Sequence, residues 1–334
     1  MSSDFRDNTP SKSKSPKKAT IADLVEKTGL SLGTVSRVLN NRSNVSEKTR
    51  EIVLKAAREL NLRPQGSARS KQIAVLTDPH NPDRIEGYTA TLTSHLAYLL
   101  TRRGLGIAFP ANPIDELPRM FLDGVIAINC VSHFSSFLSE LESRMPVVYI
   151  DKFDVNDRQY CVRSDHYAAG KIAAEHFFSR GKRKLAFLAQ ESLTQRERLR
   201  GFADAAREQG VSLDPDCVAV CSSDGRMSAL ARIVRSGAEA LYVPGASFEV
   251  IEALHTLTYL MRVKVPEDIS VLGGENEGLS ELMNPPLSTV EEPLLDMADA
   301  AVSLVEQLVN GRDVENRIQS FPVRLIERNS VRSG

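Results

Sequence analysis

Apolar positions recur at helical spacing three times within the first sixty residues. Ile21, Leu24 and Val25 fall at i, i+3 and i+4, and Val35, Val38 and Leu39 repeat that spacing in SLGTVSRVLN. Ile52, Ala56 and Leu60 are expected to point inward from a third helix running from Ser46 to about Leu60. Such spacing gathers apolar side chains on one helical face. Thr20, with Asp23 three positions on, reads as a variant capping box, and Ser31 as the N-cap of the second helix. Gly29 in KTGLS supplies the tight turn, and Leu30 plugs the angle between the first two helices. Helix, short glycine-containing turn, helix and a supporting third helix form a helix-turn-helix unit over residues 20–63. Residues 1–19 show no apolar period and are expected to form a disordered basic tail.

From Ile73 the texture changes. QIAVLTD, LGIAFP, DGVIAIN and MPVVYID read as buried strands, and EGYTATLTSHLAYLLTRRG as a helix between the first two. A second series follows, with RKLAFLAQ, ALYVPG and DISVLGGE as strands and AAGKIAAEHFFSRG, RERLRGFADAAREQG and FEVIEALHTLTYLM as helices. Strands joined by helices imply parallel sheets with right-handed crossovers, and two such series imply two lobes. An all-α head on an α/β body fits the 334-residue length, which exceeds one ordinary core.

Charge divides the chain the same way. Residues 11–72 carry 14 Lys/Arg against 5 Asp/Glu, whereas residues 73–334 carry an excess of 9 acids. A basic head on an acidic body points to a polyanion as partner of the head alone. That assigns the outward face of the second helix, whose N-terminal residues would meet base edges in the DNA major groove. Leu32 offers apolar contact to a thymine methyl, Gly33 lets the helix approach, and Arg37 can donate twice to guanine O6 and N7. Ser31, Thr34, Ser36 and Asn40 are short donors suited to phosphates, and Thr20 at the preceding helix start joins them. Cys130, Cys161, Cys217 and Cys221 form no C-x-x-C pair, and the six histidines show no metal spacing. No cofactor and no metal are expected. SVLGGENEGLS lacks G-x-G-x-x-G, and Glu275 with Glu277 would repel a pyrophosphate, so an enzyme is not the expected class. The charged, Ser/Pro-rich start and the lack of a long apolar run point to a cytoplasmic, nucleoid-associated protein with no membrane partner.

The run TIADLVEKTGLSLGTVSRVLNNRSNVSEKTREIVLKAARELNLRP, Thr20 to Pro64, closely resembles the LacI/GalR family of bacterial repressors. In that family the residues matching Leu32, Gly33 and Arg37 select bases. The phrases MPVVYIDK, DHYAAGKIAAEHFFSRGKRKLAFL, RLRGFADAAREQG, VPEDISVLG, NPPLSTVEEP and LIERNS are similar to the family's sensor core. The resemblance implies a periplasmic-binding-protein-like core of two doubly wound lobes over residues 73–330. Lobe 1 would comprise 73–162 and 292–321, and lobe 2 would comprise 163–291 and 322–330, with crossovers near Val162, Glu291 and Phe321. It implies a repressor that binds a near-palindromic operator as a homodimer, since the chain stops soon after Ser330 without the family's tetramer-forming helix. A small polar, sugar-like effector is expected in the cleft.

The matching cleft positions are Arg198, Glu275, Tyr242, Asn81 and Arg84. Arg198 would hold effector hydroxyls or carboxylates, and its guanidinium is expected to await the ligand for a partner. Glu275 stands where aspartate is usual, YVPGASF lacks an expected Asn-Asp pair, and Asp83 and Arg84 replace aromatic residues. Either the effector is unusual, or the core is degenerate and non-sensing, which would leave a regulator or architectural DNA-binding protein. The hinge, residues 64–72, departs furthest. RPQGSARSKQIAVL keeps Ala68 and Arg69 but puts Lys71 at the position of a leucine that wedges into the minor groove, and about half a dozen residues are missing before the first strand. Arg69 and Lys71 are expected to touch phosphate or the groove edge, with weak bending of the operator.

Overall fold

The computed structural model describes residues 19–39, 45–60, 62, 71–77, 87–129, 135–245, 248–276 and 278–333. The chain divides into two compact units, Met1–Ser70 with Asp115–Met120, and Lys71–Ile114 with Phe121–Gly334.

The first unit holds α1 (Ile21–Thr28), α2 (Leu32–Leu39) and α3 (Glu47–Glu59). Thr20 caps α1 reciprocally: its hydroxyl accepts from the Asp23 amide at 3.4 Å, and its own amide donates to Asp23 Oδ2 at 2.6 Å. Gly29 ends the helix with φ 67°, where a side chain would be strained, and donates to Val25 O at 2.9 Å. The Ser31 hydroxyl accepts from the Thr34 amide at 3.2 Å, and Ser46 starts α3 in the same way. Leu24, Val35, Val38 and Leu39 bury together with Val53, Leu54, Ala56 and Ala57. Ile52 is a correction: it is 46% exposed, because α3 turns Val53, Ala56 and Ala57 inward and leaves its neighbour outside. Lys27 ties α1 to α3 through Glu59 at 2.8 Å.

The rest of the chain runs β1 (Gln72–Thr77), α4 (Gly87–Arg102), β2 (Gly106–Ala108), α5 (Pro113–Glu116), β3 (Gly124–Ile128), α6 (Ser135–Glu142), β4 (Val147–Ile150) and β5 (Tyr160–Ser164). It continues with α7 (His166–Ser179), β6 (Leu185–Ala189), α8 (Leu193–Glu208), β7 (Val218–Val220), α9 (Arg226–Arg235), β8 (Ala240–Val243), α10 (Phe248–His255) and β9 (Ser270–Gly274). β10 (Ser288–Glu291), α11 (Leu294–Val309), β11 (Ile318–Phe321) and β12 (Arg324–Ile326) complete it.

Two six-stranded sheets result, ordered β11-β5-β4-β3-β1-β2 and β12-β10-β9-β8-β6-β7. Every pairing is parallel except β10 with β12. The chain leaves the first sheet after β5, returns through Glu292 into α11, and leaves again after β11. In each sheet the strand order reverses beside its first strand, and the carboxyl ends of strands at such a point are where ligands sit. Near-continuous apolar strands such as β3 and β6 are buried on both faces, as parallel sheets require. α4 and α11 cover the first sheet around Leu96, Met297 and Val302, while α7 and α8 cover one face of the second and α9 and α10 the other.

Two glycines set the α7–α8 packing. A Cβ on Gly170 would lie 1.8 Å from Arg198 O, and one on Gly201 would lie 2.0 Å from Tyr167 O. The helices therefore touch backbone to backbone, which fixes Arg198 relative to His166 at the start of α7.

Candidate functional site

The head offers a surface its own packing does not explain. Leu32 is 61% exposed at the start of α2, and Gly33 has no atom closer to a Cβ position than Ser31 Oγ at 4.0 Å. Glycine inside a helix costs roughly 0.5–1 kcal/mol relative to alanine, and nothing in the fold requires it here. Arg37 is exposed and forms no ion pair among the described residues. The Ser31 and Thr34 hydroxyls lie 2.9 Å apart and bond one another, and Thr20 is committed to Asp23. Ser36 lies half-buried on the same helix, while Asn40 and Arg69 fall outside the described residues.

The cleft end of the core holds a buried polar network. Asp151 follows β4 in a left-handed conformation, φ 55°, a position aspartate tolerates better than most residues. Its carboxylate accepts from the Ser164 amide at 3.1 Å and from the Tyr88 hydroxyl of α4, with His166 Nε2 3.1 Å away. Glu292, at the crossover into α11, accepts from Arg198 Nη2 at 2.6 Å and from the Ser164 hydroxyl. The other imidazole nitrogen of His166 faces Glu292 at 4.0 Å. Burial works against ionising Asp151, but His166, through charge and hydrogen bond, then Tyr88 and Arg198, outweigh it and lower its pKa. Burial, then Asp151 and Glu292, raise the Tyr88 phenol well above its ordinary value. For Arg198 burial opposes the charge, yet Glu292 overrides it and the pKa rises.

Arg198 is thus 5% exposed and already paired, which corrects the expectation that its guanidinium lacks a partner inside the chain. A buried guanidinium needs a counter-charge, and Glu292 lies next to it at the end of β10. Glu275 is held elsewhere in lobe 2: Arg328 donates to both its oxygens, at 2.8 and 3.2 Å, and the Thr289 hydroxyl donates as well. Tyr242 stands in the aromatic core, stacked on Phe202 with centroids 5.8 Å apart, and burial pushes its phenol up. Asn81 and Arg84 fall outside the described residues. Lys71 donates from Nζ to Val309 O at 2.9 Å and to the Asn310 side chain, at the carbonyl end of α11. The last carbonyls of a helix lack intrahelical donors and attract an ammonium group.

Sequence reasoning missed Tyr88, Asp151, Ser164, His166, Gln195 and Glu292 as cleft residues. The available signal was position, because Asp151, Ser164 and Glu292 sit at or just past the carboxyl ends of predicted or implied strands. Cys161 and Cys217 are buried free thiols, with Cys161 pushed up to about 12 chiefly by burial.

Comparison with known proteins agrees with this architecture. Residues 20–65 match the bacterial regulatory proteins of the lacI family, and residues 174–331 match the periplasmic binding protein-like domain. The HTH-type transcriptional repressor CytR of Escherichia coli (strain K12) is 28% identical, covering 94% of this chain and 97% of that protein. The ribose operon repressor of Halalkalibacterium halodurans is 25% identical, covering 94% and 98%. Among solved structures, a transcriptional regulator CelR–cellobiose complex superposes with a TM-score of 0.70 at 23% identity, covering 93% of this chain and 99% of that one. A lac repressor dimer bound to operator and an anti-inducer gives 0.67 at 22%, covering 95% and 100%.

Proposed function

Because the chain belongs to the lacI family of bacterial regulatory proteins, we propose that it represses transcription by binding a near-palindromic operator as a homodimer, under the control of a small polar effector in the cleft. The observation that carries the DNA-binding role is the outward face of α2, where an exposed leucine, a glycine with open space around it and an exposed arginine with no ion pair among the described residues stand together. Leu32 and Gly33 face the bases, Arg37 reads a guanine, and Thr20, Ser31, Thr34, Ser36 and Asn40 meet phosphates. A catalytic role has no support from the cleft, whose carboxylates are engaged by Arg198, Arg328, Tyr88, Ser164 and Thr289.

Symmetric dimers double the readout of a single recognition helix by matching operator symmetry. Exposed Tyr98 and Leu295 on α4 and α11, with Leu279 and Leu282 in lobe 2, supply apolar area for a second copy. In the hinge, the hold that α11 has on Lys71 supports a protein that bends DNA weakly, since this ammonium cannot wedge between bases. Arg69 contacts phosphate beside it.

The effector lies among Arg198, Tyr242, Glu275, Asn81 and Arg84, together with the Asp151–His166–Glu292 group. The Arg198–Glu292 pair favours one second reading, a core whose internal ion pair replaces the effector and which no longer senses. Selection of duplexes from a random pool, followed by gel shift, tests the main reading: one palindromic consensus is expected, and loss of preference in Arg37→Ala. Recovery of no consensus would overturn it. A metabolite screen by thermal shift separates the second reading, since a sensing core yields a hit that Arg198→Ala removes.

A further inference from the structure

Asp151 and Glu292 place two carboxylates in the buried cleft against a single guanidinium, that of Arg198. A buried carboxylate is costly unless opposite charge or hydrogen bonds balance it. The imidazole of His166, 5% exposed, stands between the two carboxylates. An ionised carboxylate only accepts, so the ring nitrogen 3.1 Å from Asp151, Nε2, carries a hydrogen. Nδ1 is buried and has no hydrogen-bond partner. It faces Glu292 Oε2 across 4.0 Å.

Carboxylate, histidine and an open gap to a second carboxylate form the arrangement in which a ring nitrogen ligates a metal while its other N–H is held by a carboxylate. A cation seated in the gap lies about 2 Å from each atom, the ordinary length of a bond from a transition metal to imidazole nitrogen or carboxylate oxygen. Asp151, His166 and Glu292 each offer a ligand atom within 4.8 Å of the others. Arg198 occupies Glu292 Oε1, the oxygen away from the gap, and the Ser164 hydroxyl, which donates to Oε2, is the group that must turn aside. α8 carries one further buried acceptor. Gln195 Oε1, one turn before Arg198 on α8, has no partner, although its Nε2 donates to Pro244 O at 3.3 Å.

We propose that the cleft binds one divalent transition-metal ion between His166 Nδ1 and Glu292 Oε2, oriented by Asp151, with open positions that the effector completes. The inference rests on the reading of the cleft as the effector site. Mixed nitrogen and oxygen ligation with open positions favours Zn²⁺, Co²⁺, Ni²⁺ or Mn²⁺ over alkaline earths.

The test is calorimetric titration of the full-length, EDTA-treated protein with the chlorides of these four ions, with gel shifts on selected DNA run from the same samples. One site per chain is expected for at least one of the ions. His166→Asn and Glu292→Gln should abolish it, and Asp151→Asn should weaken it by about 10–100-fold. Thermal melts of the metal-free variants establish that they fold, and His255→Ala should bind as the parent does. No one-site binding to the parent overturns the proposal, as does binding that survives in both folded ligand variants, the mark of an adventitious ion. A neutral sugar that binds the metal-free protein through Arg198 upholds the cleft reading while overturning the metal. DNA binding without any metal site does the same for the regulator reading.

Discussion

Gly33 and Arg37 allow the head to be tested one side chain at a time. Since nothing lies near the missing Cβ of Gly33, Gly33→Ala should stabilise the free protein by about 0.5–1 kcal/mol. It should weaken DNA binding at the same time, because the added methyl meets the bases. A denaturant melt and a binding isotherm on one sample read both signs, and a change in the same direction for both would remove Gly33 from the interface. Arg37→Ala should cost about 1–3 kcal/mol of operator affinity and relax base preference at one position per half-site. In the core, His176 is a buried histidine whose Nε2 has no partner. Burial lowers its pKa, with Arg180 acting in the same direction and Glu327 only partly opposing. A histidine depressed in the folded state costs nothing above its ordinary pKa of about 6.5 and destabilises the fold as pH drops through that value toward the folded one. Urea midpoints should therefore fall between pH 7.5 and 5.5, and His176→Gln should flatten that fall. An unchanged slope in the variant would contradict the assignment.

At the scale of elements, two contacts decide how the core is held. The crossing of α7 and α8 depends on Gly170 and Gly201, where a methyl would overlap backbone oxygens. Gly201→Ala should destabilise the core by about 1–3 kcal/mol or more, the opposite of Gly33→Ala, because a packed backbone cannot give way as a side chain does. An unaffected melt would mean that the helices cross further apart. Lys71 ends the hinge on the last turn of α11, whose first residues follow Glu292. Lys71→Leu frees that helix end and restores an apolar wedge, so increased operator bending with a slightly less stable core is expected. A circular-permutation bending assay that shows no added bend would sink the account of the hinge.

For the molecule as a whole, periodicity made the broad plan legible and left the cleft largely hidden. α2 was readable to the residue because Val35, Val38 and Leu39 bury while their neighbours do not. α3 was misphased at Ile52 because its apolar residues are nearly consecutive, so two helical faces compete in the pattern. β7 and β12, three residues each, are too short for any period to register. Arg198 could be singled out, but not its partner, because Glu292 lies 94 residues away and reaches it only when the chain crosses between the lobes. Likewise Asp151, His166 and Tyr88 belong to three separate elements that the fold alone brings together. Sedimentation of the intact protein should give a dimer, and a monomer or tetramer at micromolar concentration would contradict the symmetric reading of the operator.

The most direct measurement is the affinity of the full-length protein for its selected palindrome and for a scrambled duplex of the same composition, across a salt series. The account predicts binding to the palindrome at least about 10³-fold tighter, with affinity for both falling steeply as salt rises and the preference collapsing in Arg37→Ala. Equal affinity for the two duplexes, or a preference that survives Arg37→Ala, would contradict it.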